Sequence, residues 1–196
     1  MERHPLEPFL PEGAQTLMLG SFPPSRKRWC MDFFYPNFTN DMWRIMGIVF
    51  HNDKNHFVDV EHKTFRREAI IDFLQQEGIA LYDTATAVVR TKNTASDKDL
   101  EVVEAVDLVD LLGRIPACRA VVTTGQKATD LFTAQMGISQ PKVGGYVEFT
   151  FPMGDMGGTS RTLRLYRMPS SSRAYPMRLD RKAAFYQPLF DQFLSI

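Results

Sequence analysis

The chain has 196 residues, of which 44% are apolar and 23% charged, and its formal net charge is zero. This length suits one domain with a real hydrophobic core, and the composition excludes a disordered or fibrous protein. A chain without net charge is not held on a polyanion mainly by its global field, so any contact with nucleic acid has to come from local basic clusters.

Neither a membrane span nor a secretory leader is predicted. No apolar run approaches the roughly 18 to 20 residues that cross a bilayer. The opening MERHPLEPFLPEG lacks the apolar core of a signal peptide, so a cytoplasmic location is expected.

The cysteines and histidines do not indicate a metal site. Cys30 and Cys118 are expected to be free thiols, and two thiols cannot ligate a structural zinc ion or an iron–sulfur cluster. His51, His56 and His62 lie in a polar stretch whose spacing matches no standard site. No metal or cofactor is expected.

Strands and helices are predicted to alternate along the chain. In the first half we expect a strand at 15–19, a helix at 40–49 capped by Asn40, a helix at 64–76 capped by Thr64 and stopped by Gly78, and a short strand at 79–84. In the second half we expect an acidic helix at 99–113, a strand at 118–125 leading into the helix QKATDLFTAQM, paired strands at 147–151 and 162–168 around a Gly-rich turn, and a last helix from Arg181 onward that Pro188 kinks or breaks.

This order favours a three-layer α/β/α fold with a central, mostly parallel sheet of four to five strands. Residues 1–196 are expected to form one domain, with 1–14 as an N-terminal extension. Ligands of such folds bind at the carboxyl ends of the strands. Four segments are thereby predicted to meet at one edge: GSFPPS, LYDT, TTGQKA and MPSSSRAY.

The first of these segments is suited to walling a pocket, because its two prolines restrict the loop. Phe33, Phe34 and Tyr35 follow it, and Asn40 lies three residues before Trp43. Aromatic side chains beside a rigid loop can stack on a planar base. The alternative is that these aromatics are core residues beneath a helix.

The last segment carries three consecutive serines and then Arg173. Hydroxyl, backbone N–H and guanidinium groups are ordinary ligands of phosphate oxygens, although a plain polar loop fits the same residues. A serine nucleophile is disfavoured, since neither a Gly-x-Ser-x-Gly elbow nor a histidine accompanies the serines.

Together, over roughly residues 15–190, these segments resemble the uracil-DNA glycosylase superfamily and, within it, the hypoxanthine-DNA glycosylase type branch. The segments that carry the resemblance are Gly20-Ser21-Phe22-Pro23, the aromatic–Pro–Asn–x–x–Trp run through Phe34, Tyr35, Pro36, Asn40 and Trp43, then Leu81-Tyr82-Asp83, Gly125-Gln126-Lys127-Ala128 and Pro169-Ser170-Ser171-Ser172.

The chain departs from the familiar superfamily pattern at three points. Phe22 stands where many members have Asp or Asn, and Met168 precedes Pro169 where many have histidine; both departures are usual in the hypoxanthine-type branch. One additional residue separates Pro36 from Asn40, so Asn37 competes with Asn40 for the role of catalytic asparagine.

The resemblance implies a monofunctional glycosylase of base-excision repair. Such an enzyme flips a damaged or deaminated base out of DNA and hydrolyses its N-glycosidic bond, acting as a monomer on duplex or single-stranded DNA. The implied roles are catalysis for Asn40, base binding for Gly20, Ser21, Phe22, Phe34, Tyr35 and Asp83, and DNA contact for Lys127, Pro169, Ser170, Ser171, Ser172 and Arg173. The alternatives are an inert binder of damaged or single-stranded DNA and a small nucleoside hydrolase.

Asp83 stands at a strand end where uracil-specific relatives resemble this chain but carry asparagine. An ionised carboxylate only accepts hydrogen bonds, whereas an asparagine amide also donates. Asp83 is therefore expected to favour a purine lactam such as hypoxanthine over uracil, unless it is protonated or only caps the following turn.

Overall fold

The computed structural model describes residues 1–91, 99–152 and 160–193. Its strands in chain order are β1 (Glu2–Arg3), β2 (Thr16–Gly20), β3 (Val58–Asp59), β4 (Thr64–Phe65), β5 (Ile79–Asp83), β6 (Ala85–Arg90), β7 (Leu100–Ala105), β8 (Ala120–Thr124), β9 (Tyr146–Pro152) and β10 (Ser160–Met168). Its helices are α1 (Met42–His51), α2 (Arg67–Gln76), α3 (Leu108–Gly113), α4 (Gln126–Met136) and α5 (Leu179–Phe193), and Arg26–Arg28 form a 3-10 turn.

The central sheet has five strands in the order β5-β2-β8-β10-β9. The first four run parallel, and β9 pairs antiparallel with β10 at the edge. Every residue of β2, β5 and β8 is buried, as expected for parallel strands covered on both faces. The prediction of a mostly parallel α/β sheet is confirmed.

Helices cover the sheet on both sides. Strand β5 lies on one side of β2, whereas β8 and β10 lie on the other side. The connection from β2 to β5 therefore runs one way along the strand order, and the connections from β5 to β8 and from β8 to β10 run the opposite way. Right-handed crossovers therefore place α1 and α2 on one face and α3 and α4 on the opposite face. Phe50 of α1 contacts Phe73 of α2 and Phe190 of α5, with ring centroids 4.7 and 4.9 Å apart, so α5 joins the first layer.

The prediction of a helix over 99–113 is wrong for the first half of that range, which belongs to a second sheet with the strand order β1-β6-β7. Strand β7 pairs antiparallel with β6, and within 99–113 only Leu108–Gly113 is α-helical. Leu100 and Val102 pack with Val88 and Phe22, so alternate residues of this stretch face an apolar layer. The Asp107 side chain then caps α3 by accepting from Val109 N and Asp110 N.

Most of the remaining predicted elements lie close to their expected positions, with one further correction. Helix α2 begins at Arg67 rather than after a Thr64 cap, because Thr64 pairs within β4 and its hydroxyl donates to the carbonyl of Cys30. Pro188 lies inside α5 without ending it, and both cysteines are free. The predicted Gly-rich turn at 153–159 and residues 194–196 of the predicted last helix lie outside the described residues.

Candidate functional site

A cleft opens at the carboxyl ends of the parallel strands, with an empty volume of about 820 Å³ that includes open solvent. The predicted meeting of strand-end loops is found here. The residues lining the cleft are Gly20, Ser21, Phe22, Pro23, Pro24, Phe34, Tyr35, Pro36, Asn37, Thr39, Asn40, Asp83, Arg90, Leu100, Thr124, Ser170, Ser171, Ser172 and Arg173.

Phe22, in the first loop, belongs to the apolar layer beneath the second sheet. It is 8% exposed and packs with Val88 and Leu100. The Arg90 guanidinium lies 5.8 Å from its ring centre and donates to the Pro23 carbonyl. An acid or amide at position 22 would disrupt this packing, so position 22 supplies no polar side chain to the cleft.

Tyr35 has the most unusual backbone in the site. Its φ of 50° lies in the left-handed region that bulky residues rarely adopt, and such strain is concentrated at functional positions. The hydroxyl lies 3.0 Å from Thr124 Oγ1, which ties this loop to the end of β8. Phe34 is only 4% exposed and packs on Phe33, so Tyr35 offers the more accessible ring.

Both candidate asparagines line the cleft, but their side chains are used differently. Asn40 Oδ1 accepts from Met42 N at 2.9 Å, at the start of α1. Asn37 Oδ1 accepts two hydrogen bonds, from Thr39 N and Thr39 Oγ1. A carboxamide oxygen has two lone pairs, so Asn40 keeps one for a further donor, whereas both lone pairs of Asn37 are engaged.

Asp41, directly after Asn40, anchors this segment to the serine loop, Ser170–Ser172. The carboxylate is buried and accepts from Arg173 at 3.0 Å and from Lys182 of α5 at 2.9 Å. Its backbone N–H donates to the Ser171 carbonyl, and the Lys182 ammonium also donates to the Ser172 carbonyl at 2.7 Å. The Lys182 side chain has no exposed surface. One buried ion pair therefore fixes the Asn40 segment against the serine loop.

The serine loop keeps hydroxyl protons available. Ser170 Oγ accepts from Ser172 N, and Ser172 Oγ accepts from Ala174 N, so these oxygens shape the turn while each O–H can still donate. The Arg173 side chain is 58% exposed at the rim. Burial, and secondly the charge of Arg173, lower the pKa of the nearby Arg44 guanidinium. Positive charge is thus concentrated beside the loop.

Asp83 enters the cleft from the end of β5. Its Oδ2 lies 2.9 Å from Nε2 of His4. Its Oδ1 lies over Gly20, where an added Cβ would stand 2.4 Å from that oxygen. Glycine at position 20 is therefore required for this approach.

Two predicted DNA-contact residues are not brought to the cleft. Lys127, in the first turn of α4, donates to the carbonyl of Leu100. Pro169 is buried, and its carbonyl accepts from the Tyr186 hydroxyl at 3.5 Å. The other predicted site residues all line the cleft.

Three important residues were not assigned roles from sequence: His4, Asp41 and Lys182. Lys182 had a detectable signal, because it precedes Tyr186, Leu189 and Phe190 at helical spacing on the apolar face of α5. A lysine there requires a buried partner. Nothing in the proline-rich opening segment distinguished His4.

Among the described residues, no group of three or more His, Cys, Asp or Glu side chains could hold a metal ion. In the same ranges, no helix combines the length and the apolar character needed to cross a membrane.

Comparison with known proteins gives a fold and no sequence family. No protein-family model matches the chain, and no curated protein does. Among solved structures, the chain is similar to the solution NMR structure of a "putative Uracil DNA glycosylase from Methanosarcina acetivorans", with a TM-score of 0.64 and 21% sequence identity over 99% of both chains. The central sheet, its helices and the N-terminal segment thus belong to a fold that the two proteins share over their whole length.

Proposed function

We propose that this chain is a monofunctional DNA glycosylase of the uracil-DNA glycosylase superfamily, closest to the hypoxanthine-type branch. The observation that carries the proposal is the convergence, in one cleft, of an asparagine at a helix start, a carboxylate, a half-buried tyrosine ring and a loop of hydroxyl and guanidinium donors. The shared fold with the Methanosarcina protein supports it.

The proposed reaction is hydrolysis of an N-glycosidic bond. A flipped base enters the cleft beside Tyr35 and Asp83, while the serine loop and Arg173 hold the neighbouring phosphates. Asn40 Oδ1 accepts a hydrogen bond from the attacking water through its remaining lone pair and so orients the water. The water oxygen bonds to the anomeric carbon, the bond to the base nitrogen breaks, and the base leaves as an anion with the bonding electrons. The proton that the water loses passes to solvent, from which the departed base takes up a proton.

Asparagine is not a base, so the rate has to come mainly from positioning and electrostatics. The sugar becomes cationic as the bond breaks, and the cleft presents polar groups that are already fixed in place. No residue is assigned as an amine nucleophile, so strand cleavage by β-elimination is not expected.

The experiment is a panel of single- and double-stranded oligonucleotides containing uracil, hypoxanthine, xanthine or an alkylated purine, with excision detected by alkaline cleavage. Asn40→Ala should lower excision by about 10²-fold, the effect of losing one preorganised polar group. Asn40→Ser retains an oxygen that can cap α1 but removes the amide, so it should be equally slow.

Two results would contradict this assignment. If Asn40→Ser keeps full activity, Asn40 is only a cap, whose loss destabilises a helix by about 1 kcal/mol. If Asn37→Ala abolishes excision and Asn40→Ala does not, the catalytic asparagine is Asn37.

A second function is favoured by one observation, the apolar packing of Phe22 where many relatives carry a catalytic acid or amide. That function is binding of damaged or single-stranded DNA without excision. Binding of the same oligonucleotides, with no abasic product under any condition, would establish it in place of the glycosylase.

A further inference from the structure

The N-terminal segment forms one wall of the site. Strand β1 pairs with β6, and the His4 backbone N–H donates to the Thr86 carbonyl at 2.8 Å. Phe9 exchanges two backbone hydrogen bonds with Leu81, at 2.9 and 3.0 Å. The chain is thereby fixed on both sides of His4, whose side chain is only 2% exposed.

The His4 ring is held by apolar contacts as well as by hydrogen bonds. It packs edge-on against Phe22, with ring centroids 5.3 Å apart. Its packing against Tyr82 is tilted, with ring centroids 4.8 Å apart. Nδ1 lies 2.8 Å from the Leu6 carbonyl oxygen and 3.2 Å from Leu6 N. With the proton on Nε2, the ring donates to the Asp83 carboxylate, and Nδ1 accepts from Leu6 N.

This contact divides the roles of the two Asp83 oxygens. Oδ2 lies 2.9 Å from Nε2 of His4 and accepts its hydrogen bond when Nε2 carries the proton. Oδ1 is left over Gly20, on the side where the Tyr35 hydroxyl also approaches. The Asp83 side chain is 10% exposed, and a carboxylate at this depth needs such a partner to be held in one orientation.

We propose that His4 is a specificity-determining positioning residue, because it holds the Asp83 carboxylate as a hydrogen-bond acceptor with Oδ1 presented to the flipped base. This inference rests on the proposed function of the cleft. A fixed carboxylate oxygen accepts from a ring N–H and repels a neighbouring carbonyl oxygen. In hypoxanthine one side of the lactam N–H is a C–H group, whereas in uracil carbonyls flank the ring N–H on both sides, so the carboxylate favours hypoxanthine.

The test compares excision of hypoxanthine and uracil by the wild type, Asp83→Asn, His4→Leu and the double variant. Each single variant should shift the rate ratio toward uracil by about tenfold, as expected for one hydrogen bond to a charged group. Leucine removes the Nε2 donor, so Oδ2 loses its partner and Oδ1 is no longer held toward the base. The double variant should match Asp83→Asn, because His4 acts through Asp83.

Two further variants separate this role from a structural one. His4→Gln places an amide N–H near the position of Nε2 and should restore most of the wild-type ratio. Arg3→Ala removes only an exposed ion pair between the same segment and Glu104, and should leave the ratio unchanged. If His4→Leu lowers both rates equally, or if the two changes add in the double variant, the inference is wrong.

A wild-type protein that excises no base would refute the proposed function without deciding the role of His4. Equilibrium binding of the same two oligonucleotides then gives the ratio without chemistry. A shift of that ratio toward uracil in His4→Leu retains the inference, and an unchanged ratio overturns it.

Discussion

Two buried carboxylates lie beside the cleft, and they differ in how fully they are paired. Asp41 is 5% exposed, and both of its oxygens accept from cations, one from Arg173 and one from Lys182. Asp83 is 7% exposed, and among the described residues its carboxylate has one hydrogen-bond partner, His4, on one oxygen. Asp83 lines the cleft, whereas Asp41 does not.

The fully paired carboxylate of Asp41 is suited to a structural role, whereas the carboxylate of Asp83 can still bind a ligand. A buried charge is tolerated when its hydrogen-bonding capacity is satisfied, and Asp41 has partners on both oxygens. Asp83 retains an oxygen for a ligand. The two pairs also attach the two ends of the chain, since His4 belongs to the N-terminal segment and Lys182 to the last helix. We therefore expect changes at Asp41 to alter stability and changes at Asp83 to alter base preference.

The largest effect is expected from Lys182→Met, which leaves Asp41 with Arg173 as its remaining cationic partner. Breaking a buried ion pair by removing one member typically destabilises by about 3 to 5 kcal/mol. We expect about 3 kcal/mol here, because Arg173 still compensates part of the charge. Chemical denaturation measures the loss of unfolding free energy.

The same variant tests the contrast directly. Excision should fall, since Lys182 also binds the Ser172 carbonyl, but the ratio of hypoxanthine to uracil should stay unchanged. Arg181→Met, at an exposed neighbouring position on α5, is the matched control and should affect neither quantity. A Lys182→Met protein as stable as the wild type would contradict a structural role for Asp41.

A smaller effect is expected from Arg173→Ala, which removes the exposed partner of Asp41. An exposed ion pair contributes about 0 to 1 kcal/mol, so stability should change little. Binding to DNA should weaken by a similar factor for every lesion, and the slope of log K against log salt should fall by about 1, as for the loss of one phosphate contact.

Salt titrations of binding by the wild type and Arg173→Ala measure that slope. Arg178→Ala is the control, because Arg178 is exposed in the same region but pairs with Asp180 and does not line the cleft. A change in lesion preference with an unchanged salt slope would assign Arg173 to base recognition instead.

The sequence predicted the parts of this site that depend on local patterns. The apolar strand before Gly125 and the helix after it were both found, because burial and helical spacing are visible in neighbouring residues. The pattern failed over 99–113, where acidic residues between apolar ones fit both a helix face and an edge strand. Strand β7 forms because this stretch pairs with β6, and that pairing is not visible in the local pattern.

The partners of the two carboxylates could not be predicted in the same way. His4 and Asp83 are 79 positions apart in sequence, and Asp41 and Lys182 are 141 apart. Such contacts follow from how the sheet brings the chain ends together, so a single sequence gives the residues without their pairing. The predicted strand-end cleft was specific enough to place Asp83 in the site, but not to find the histidine that fixes it.

The smallest effect is a loss of folding stability at acidic pH. This loss has to be distinguished from effects at the two carboxylate pairs before pH profiles of excision are interpreted. His51, at the end of α1, stacks on His56 with ring centroids 3.6 Å apart. Partial burial, and then repulsion from His56, lower the pKa of His51 from its ordinary value of 6.5, while Asp53 opposes the shift. In the folded protein this imidazole therefore binds a proton less readily than in the unfolded chain.

The sign of the effect follows from that direction. Below about pH 6.5 the unfolded chain takes up a proton that the folded protein does not, so unfolding becomes easier as the pH falls, until the pH passes the lowered pKa of the folded state. His51 is largely exposed, and solvent screening keeps the change below about 1 kcal/mol. His51→Gln should remove part of the loss of stability between pH 7.5 and 5.5, measured by denaturation at each pH. It should leave the pH profile of the hypoxanthine-to-uracil ratio as in the wild type, and a change in that profile would show that the ratio reports on the His51 region rather than on the cleft.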